Sequence, residues 1–175
     1  MQRGAIPALI LAAAAAGCGA RSDKAVAQFN LTSTAFQDGG TIPAQFTCDG
    51  PGQSPPLAWD EPPPGTKSFA LVLDDPDAPS GTFDHWGAFD IPASTRSIAA
   101  GQAAGTQAIN GFGMPGYGGP CPPKGHGPHH YRFKLIALDV DRLGLQSAAK
   151  VGDLERAAGQ HLVGRAELTG TYERR

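Results

Sequence analysis

Aromatic side chains make up only 7% of this chain and charged ones only 17%. Few aromatics beside 24 glycines and 16 prolines disfavour long helices and favour many short strands joined by tight turns. Lys and Arg are scattered singly. With a net charge of -2, that excludes an electrostatic nucleic-acid footprint. No internal repeat is present. Of three cysteines, no two form a Cys-x-x-Cys pair, which argues against a structural zinc site. The chain has no Gly-x-Ser-x-Gly elbow to present a serine nucleophile. Lys124 is not followed by Ser or Thr in the phosphate-loop spacing, so no nucleotide phosphate loop is expected.

At the N-terminus, Arg3 precedes an apolar run from Ala5 to Ala16, then Gly17-Cys18. The run is short for a membrane span and has the proportions of a secretory signal. Ala15-Ala16-Gly17-Cys18 is similar to a bacterial lipobox, with Ala15 where Leu is usual. The expectation is removal of residues 1–17 and lipidation of Cys18. The product would be an exported lipoprotein of the bacterial envelope or periplasm, held to the membrane by that lipid. A secreted or soluble periplasmic protein is the alternative. Residues 18–28 read as a flexible tether and 29–175 as one domain, long enough for a sizeable core. Cys48 and Cys121 then remain as an even pair in an oxidising compartment. A disulfide and two small buried thiols are both open readings.

Phe29 to Ser33, Leu57-Ala58-Trp59, Ser68 to Leu73, His85 to Ile91, Tyr131 to Asp139 and Ala166 to Tyr172 read as strands. The Ser68 run is continuously apolar, as in a strand buried on both faces. Val151, Leu154, Ala158 and Leu162 recur at helical spacing, which predicts an amphipathic helix over Lys150 to Gln160. Gly101 to Gly119 is long, glycine-rich and aperiodic, as expected of a segment packed around a site. Strands with one late helix predict a β-sandwich.

Two segments concentrate chemistry at strand ends. The first is Asp74-Asp75-Pro76-Asp77-Ala78-Pro79, then His85-Trp86; the second is Gly116 to Pro123, then Gly127-Pro128-His129-His130-Tyr131. Proline stiffens the turn that carries Asp75 and Asp77, whose carboxylates can orient a histidine, meet a ligand amine or cap turn amides. His85 can clasp an anion when charged, and a neighbouring carboxylate would raise its pKa. Gly119 and Pro122 belong to a stiff loop whose amides can cradle an anion. His129 and Tyr131 share a strand face, and His130 points the other way. His126, His129 and His130 with Asp77 invite a metal, but adjacent histidines on extended backbone diverge; no metal or cofactor is expected.

These two segments, with Phe46-Thr47-Cys48-Asp49-Gly50, Ser54-Pro55-Pro56-Leu57 and Asn110-Gly111-Phe112-Gly113, resemble the signature of the phosphatidylethanolamine-binding protein (PEBP) family. The bacterial Raf-kinase-inhibitor-like branch is the better match. The likeness runs from about Phe29 to Tyr172. Two departures stand out: His130 occupies a position where the family usually has Arg, and the chain lacks the extra C-terminal helix of eukaryotic members.

The resemblance implies a mainly β, PEBP-like sandwich with one or two short peripheral helices. It also implies a ligand pocket built from Asp75, Asp77, His85, Gly119, Pro122, His129 and Tyr131. The ligand would be a small anionic or zwitterionic group: phosphate, phosphoethanolamine or a carboxylate. Modulation of a protein partner, such as a protease or kinase, is a further implication. An acid–base hydrolase using the His-Asp pocket is the alternative function, although no nucleophile stands out.

Overall fold

A computed structural model describes Met1 and residues 26–175. The expected signal segment, Cys18 and the start of the tether lie outside the described residues.

Strand β4 (Ser68–Asp75) is the axis of the fold, and every residue in it is buried. It lies between β5 (Phe83–Pro92) and β8 (His129–Leu138) in a six-stranded sheet of order β1-β9-β8-β4-β5-β7. The other members are β1 (Ala27–Gln28), β7 (Thr106–Gln107) and β9 (Leu162–Tyr172). A three-stranded sheet of β2 (Leu31–Thr32), β3 (Leu57–Trp59) and β6 (Ser97–Ile98) covers one face. Between the sheets, Phe69, Leu71, Leu73, Phe133 and Leu135 meet Leu31, Leu57, Trp59 and Ile98. On the opposite face Ala70 and Val72 pack against helix α1 (Val151–Gly159) through Val151, Leu154 and Ala158. The uninterrupted apolar run of β4 follows from this: odd positions fill the sandwich and even positions seat the helix.

The mainly β sandwich with, among the described residues, one short α-helix agrees with the sequence expectation. The differences lie at strand ends. β4 and β5 extend past their apolar runs to Asp75 and Phe83, and β8 begins at His129. The acids and histidines therefore sit on ladder backbone. Residues 27–28, read as tether, pair in parallel with Gly164 and Arg165 of β9. The expected first strand is divided: its Leu31–Thr32 part belongs to the smaller sheet.

The β4–β5 register skips a residue. Leu73 lies opposite Trp86, but Asp74 lies opposite Asp84, so His85 is the extra residue of a β-bulge. A bulge breaks strict alternation and re-aims side chains. Both His85 and Trp86 are buried as a result.

Helix α1 docks where β5 carries no side chain. A Cβ on Gly87 would lie 2.8 Å from Val151 Cγ2 and 2.9 Å from Ala108 Cβ. Gly87→Ala should therefore cost about 1–3 kcal/mol through overpacking. A Cβ on Gly152, within the helix, meets nothing within 4 Å. Gly152→Ala should gain about 0.5–1 kcal/mol. Urea midpoints of the two variants, displaced in opposite directions from wild type, check this reading of the helix seat.

Candidate functional site

The turn after β4 uses its two carboxylates on opposite sides. Asp75 is buried; its Oδ1 accepts the Asp77 N–H at 2.9 Å and its Oδ2 accepts from His129 Nδ1 at 2.7 Å. Asp77 is half-exposed and does not line the cavity. Its Oδ2 accepts from the His130 backbone N–H at 2.8 Å and from His130 Nδ1 at 2.7 Å. Those bonds hold its carboxyl below the usual carboxylate range. The expected pocket residue Asp77 thus lies outside the cavity lining, on the side of β8 that carries His130. His129 and His130 point to opposite faces of β8, and each draws one aspartate to its own side.

The Nδ1–H of His129 donates to Asp75, so in the neutral ring Nε2 carries the lone pair. That nitrogen lies 2.7 Å from His126 Nδ1. The three histidines of the segment thus divide: His126 and His129 converge, and His130 stands apart with Asp77.

His85 and Gly118 bind each other twice. The Gly118 N–H donates to the His85 carbonyl at 2.8 Å, and His85 Nδ1–H donates to the Gly118 carbonyl at 2.8 Å. The second bond leaves His85 Nε2 free. The ring is walled by Phe83, Phe112 and Tyr131, with centroids 5.0, 5.5 and 5.2 Å away. A neighbouring carboxylate was expected to raise the pKa of His85. Burial instead outweighs the carbonyl bond and the pull of Asp75, and holds the imidazole below its ordinary value. Asp75 accepts its hydrogen bond from His129, and His85 sits among aromatic rings.

His85, His129 and Asp75 form the polar end of a cavity of about 190 Å³. Ala78, Pro79, Phe83, Phe112, Pro122 and Pro123 make the apolar wall, and Cys121 completes the lining. Tyr131 lies fully buried beneath, its ring 6.5 Å from that of His129. Its hydroxyl stands near Asp75 and the Cys121 backbone but completes a hydrogen bond with neither. Burial pushes its pKa upward, so it remains a neutral donor. Of the expected pocket residues, Asp75, His85, Pro122 and His129 line the cavity. Gly119 does not: a Cβ there would lie 2.9 Å from the Phe46 carbonyl oxygen, so it serves loop packing. The aromatic walls Phe83 and Phe112 were missed, because a strand-end residue and a loop residue carry no periodic signal.

The loop that bears Cys121 is fastened from behind. Cys48 and Cys121 are bridged, with Cα atoms 5.4 Å apart. The Cys48 N–H donates to Pro120 O at 3.1 Å, and the Tyr117 hydroxyl donates to Phe46 O at 2.7 Å. Asn110 folds the neighbouring loop by accepting from the Phe112 and Met114 N–H groups and donating to Gly116 O. A larger hollow, about 440 Å³, lies by the C-terminus. Its charged lining is largely self-satisfied, as Asp49 accepts from Tyr172 and Arg174. The smaller cavity, with the free Nε2 of His85 and the buried Asp75–His129 pair, is the better candidate.

Two outcomes follow. Because burial depresses the folded pKa of His85, the unfolded chain binds more protons below pH 6.5, and stability falls as pH drops through that range. His85→Asn can keep a donor toward Gly118 O without titrating. Its urea midpoint should decline less from pH 7 to pH 5 than that of wild type; equal declines would remove His85 as the cause. Second, the disulfide spans a sequence separation of 73. Replacing both cysteines with Ser should cost about 4 kcal/mol by loop-closure entropy, read as a lower denaturation midpoint.

The model of the family described as "Phosphatidylethanolamine-binding protein" matches residues 32–173. A UPF0098 protein of Aquifex aeolicus is 47% identical over 148 residues, covering 81% of this chain and 86% of that protein. A Mycobacterium tuberculosis protein named as a candidate lipoprotein, LppC, is 44% identical, covering 82% of this chain and 71% of its own length. The crystal structure of Escherichia coli YbcL, titled a new member of the mammalian PEBP family, superposes with a TM-score of 0.80. It is 34% identical, and the match covers 85% of this chain and 100% of that one.

Proposed function

This chain belongs to the phosphatidylethanolamine-binding protein family, and from that premise and the cavity's chemistry we propose that it is a binding protein for a small anionic or zwitterionic group. Phosphate, phosphoethanolamine and carboxylates are the candidate ligands. The observation that carries the reading is the orientation of His85. Its Nδ1–H is committed to Gly118 O, so Nε2 is left for the cavity, and protonation there supplies a charged donor. Tyr131, buried beneath, supports the floor of the cavity. The apolar wall lowers the local dielectric and strengthens the His85 contact.

The cavity size supports a head group or single small anion. The protein would act in the bacterial envelope, anchored through Cys18, a placement supported by the LppC relative. Within that setting the domain would modulate a protein partner, such as a protease or kinase, through its liganded state. A hydrolase is the second reading. It is favoured by the buried 2.7 Å Asp75–His129 pair, a general acid–base arrangement. Water would have to be its nucleophile, since the lining carries no Ser or Thr hydroxyl and Cys121 is bridged.

Calorimetric titration with phosphate, phosphoethanolamine and acetate at pH 8, 6 and 5 tests the proposal. Because the free imidazole of His85 titrates below its ordinary range, affinity should rise from pH 8 to 6 and continue rising toward pH 5. A bound anion should in turn raise the pKa of His85. His85→Asn should lose about tenfold or more in affinity at pH 5, the scale of one charge-assisted hydrogen bond. Affinity unchanged in that variant, or insensitive to pH, would sink the reading.

A further inference from the structure

His129 lines the cavity, but its contact with His126 has no role in the anion reading. His126 is exposed, lies outside the cavity lining, and directs Nδ1 at His129 Nε2 over 2.7 Å. One proton fills that gap: His126 Nδ1–H donates to the lone pair of His129, whose own Nδ1–H donates to Asp75. We propose that this gap is a binding site for a borderline transition-metal ion of the Zn(II) class, held by His126 Nδ1 and His129 Nε2.

Three observations support it. First, Asp75 fixes the tautomer of His129. A carboxylate accepting from the far nitrogen of an imidazole is the arrangement that orients a metal-binding histidine and raises its basicity. In this chain that carboxylate and imidazole are both buried, with side chains 4% and 2% exposed, so the orientation is rigid. Second, the two nitrogens already face each other. Zinc–imidazole bonds of about 2.0–2.1 Å with tetrahedral angles need the nitrogens about 3.3 Å apart, a small opening from the present separation. Third, one partner can yield. His126 stands between Gly125 and Gly127, at φ of 73° and 90°, with nothing within 4 Å of where either Cβ would lie. His129 is held on β8 and His126 would make the movement.

The exchange balances. Where His126 is neutral, its Nδ1 proton transfers to its own Nε2 as the metal takes the freed lone pair. The metal loses two waters and gains two imidazole nitrogens. Among the described residues no three His, Cys, Asp or Glu side chains converge as ligands, so the remaining positions belong to water or to an anion in the adjoining cavity. His130 takes no part, since its Nδ1 is committed to Asp77 on the other face.

The test uses the full chain, expressed without a tag, titrated with Zn(II) alone in a non-coordinating buffer with no anion ligand added. It does not depend on the anion reading, and either can fail alone. One equivalent should bind, and the ¹⁵N resonances of His126 Nδ1 and His129 Nε2 should shift. His126→Ala, on an exposed loop, should weaken binding at least about tenfold, the scale on which even an outer partner of a ligand counts. His130→Ala should leave affinity unchanged. The proposal is overturned if no stoichiometric binding occurs, if His126→Ala binds as wild type does, or if the shifts fall on His130 or His161.

Discussion

The 2.7 Å hydrogen bond between Asp75 and His129 joins the end of β4 to the start of β8, where the two central strands leave the sheet. Both partners are buried, so neither can be satisfied by bulk water. Removing either would leave the other as an orphan in a low-dielectric interior, a costly state. The bond also sets directions. It turns His129 so that Nε2 meets His126, holds the floor above Tyr131, and, through Asp75 Oδ1, closes the turn at Asp77. The cavity's polar end depends on this one contact being made.

The same alternation that brings Asp75 inward carries its neighbour to the helix side. Asp74 is buried there with a bidentate Arg132 at 2.8 and 2.9 Å and with Lys134 at 2.8 Å. Burial pushes its pKa up, and the two cations pull it further down, so it stays ionised. Asp84, opposite it on β5, has no such partners. Burial, Glu155 and Asp74 raise its pKa. Two consecutive aspartates thus have different tasks, one supporting the helix seat and one supporting the cavity. The strand period assigns them.

Much of the frame was legible in the residues. The apolar run at Ser68, the helical spacing after Lys150 and the turn-rich composition are local properties, and the elements they predict are present. The shared inward face of His129 and Tyr131 was also legible, because alternation needs only the knowledge that a strand is there. The position of His85 was not. It depends on a bulge, which is a mismatch between two strands and exists in neither alone. Asp77 and Gly119 were placed at the ligand by motif, while the groups that decide their packing, His130 for Asp77 and the Phe46–Thr47 backbone against Gly119, belong to distant segments.

By itself the sequence determined a strand-rich domain, one peripheral helix and the concentration of acids, histidines and rigid loops at strand ends. Composition and periodicity are sufficient for that, since they act within a few residues. Only the tertiary structure decided which carboxylate meets which imidazole, that burial outweighs a nearby charge at His85, and that His126 returns to His129. Those outcomes depend on strand register, on the Cys48–Cys121 bridge behind the loop, and on the dielectric each side chain meets once the core has closed. These are properties of the folded whole and have no local signature in the chain.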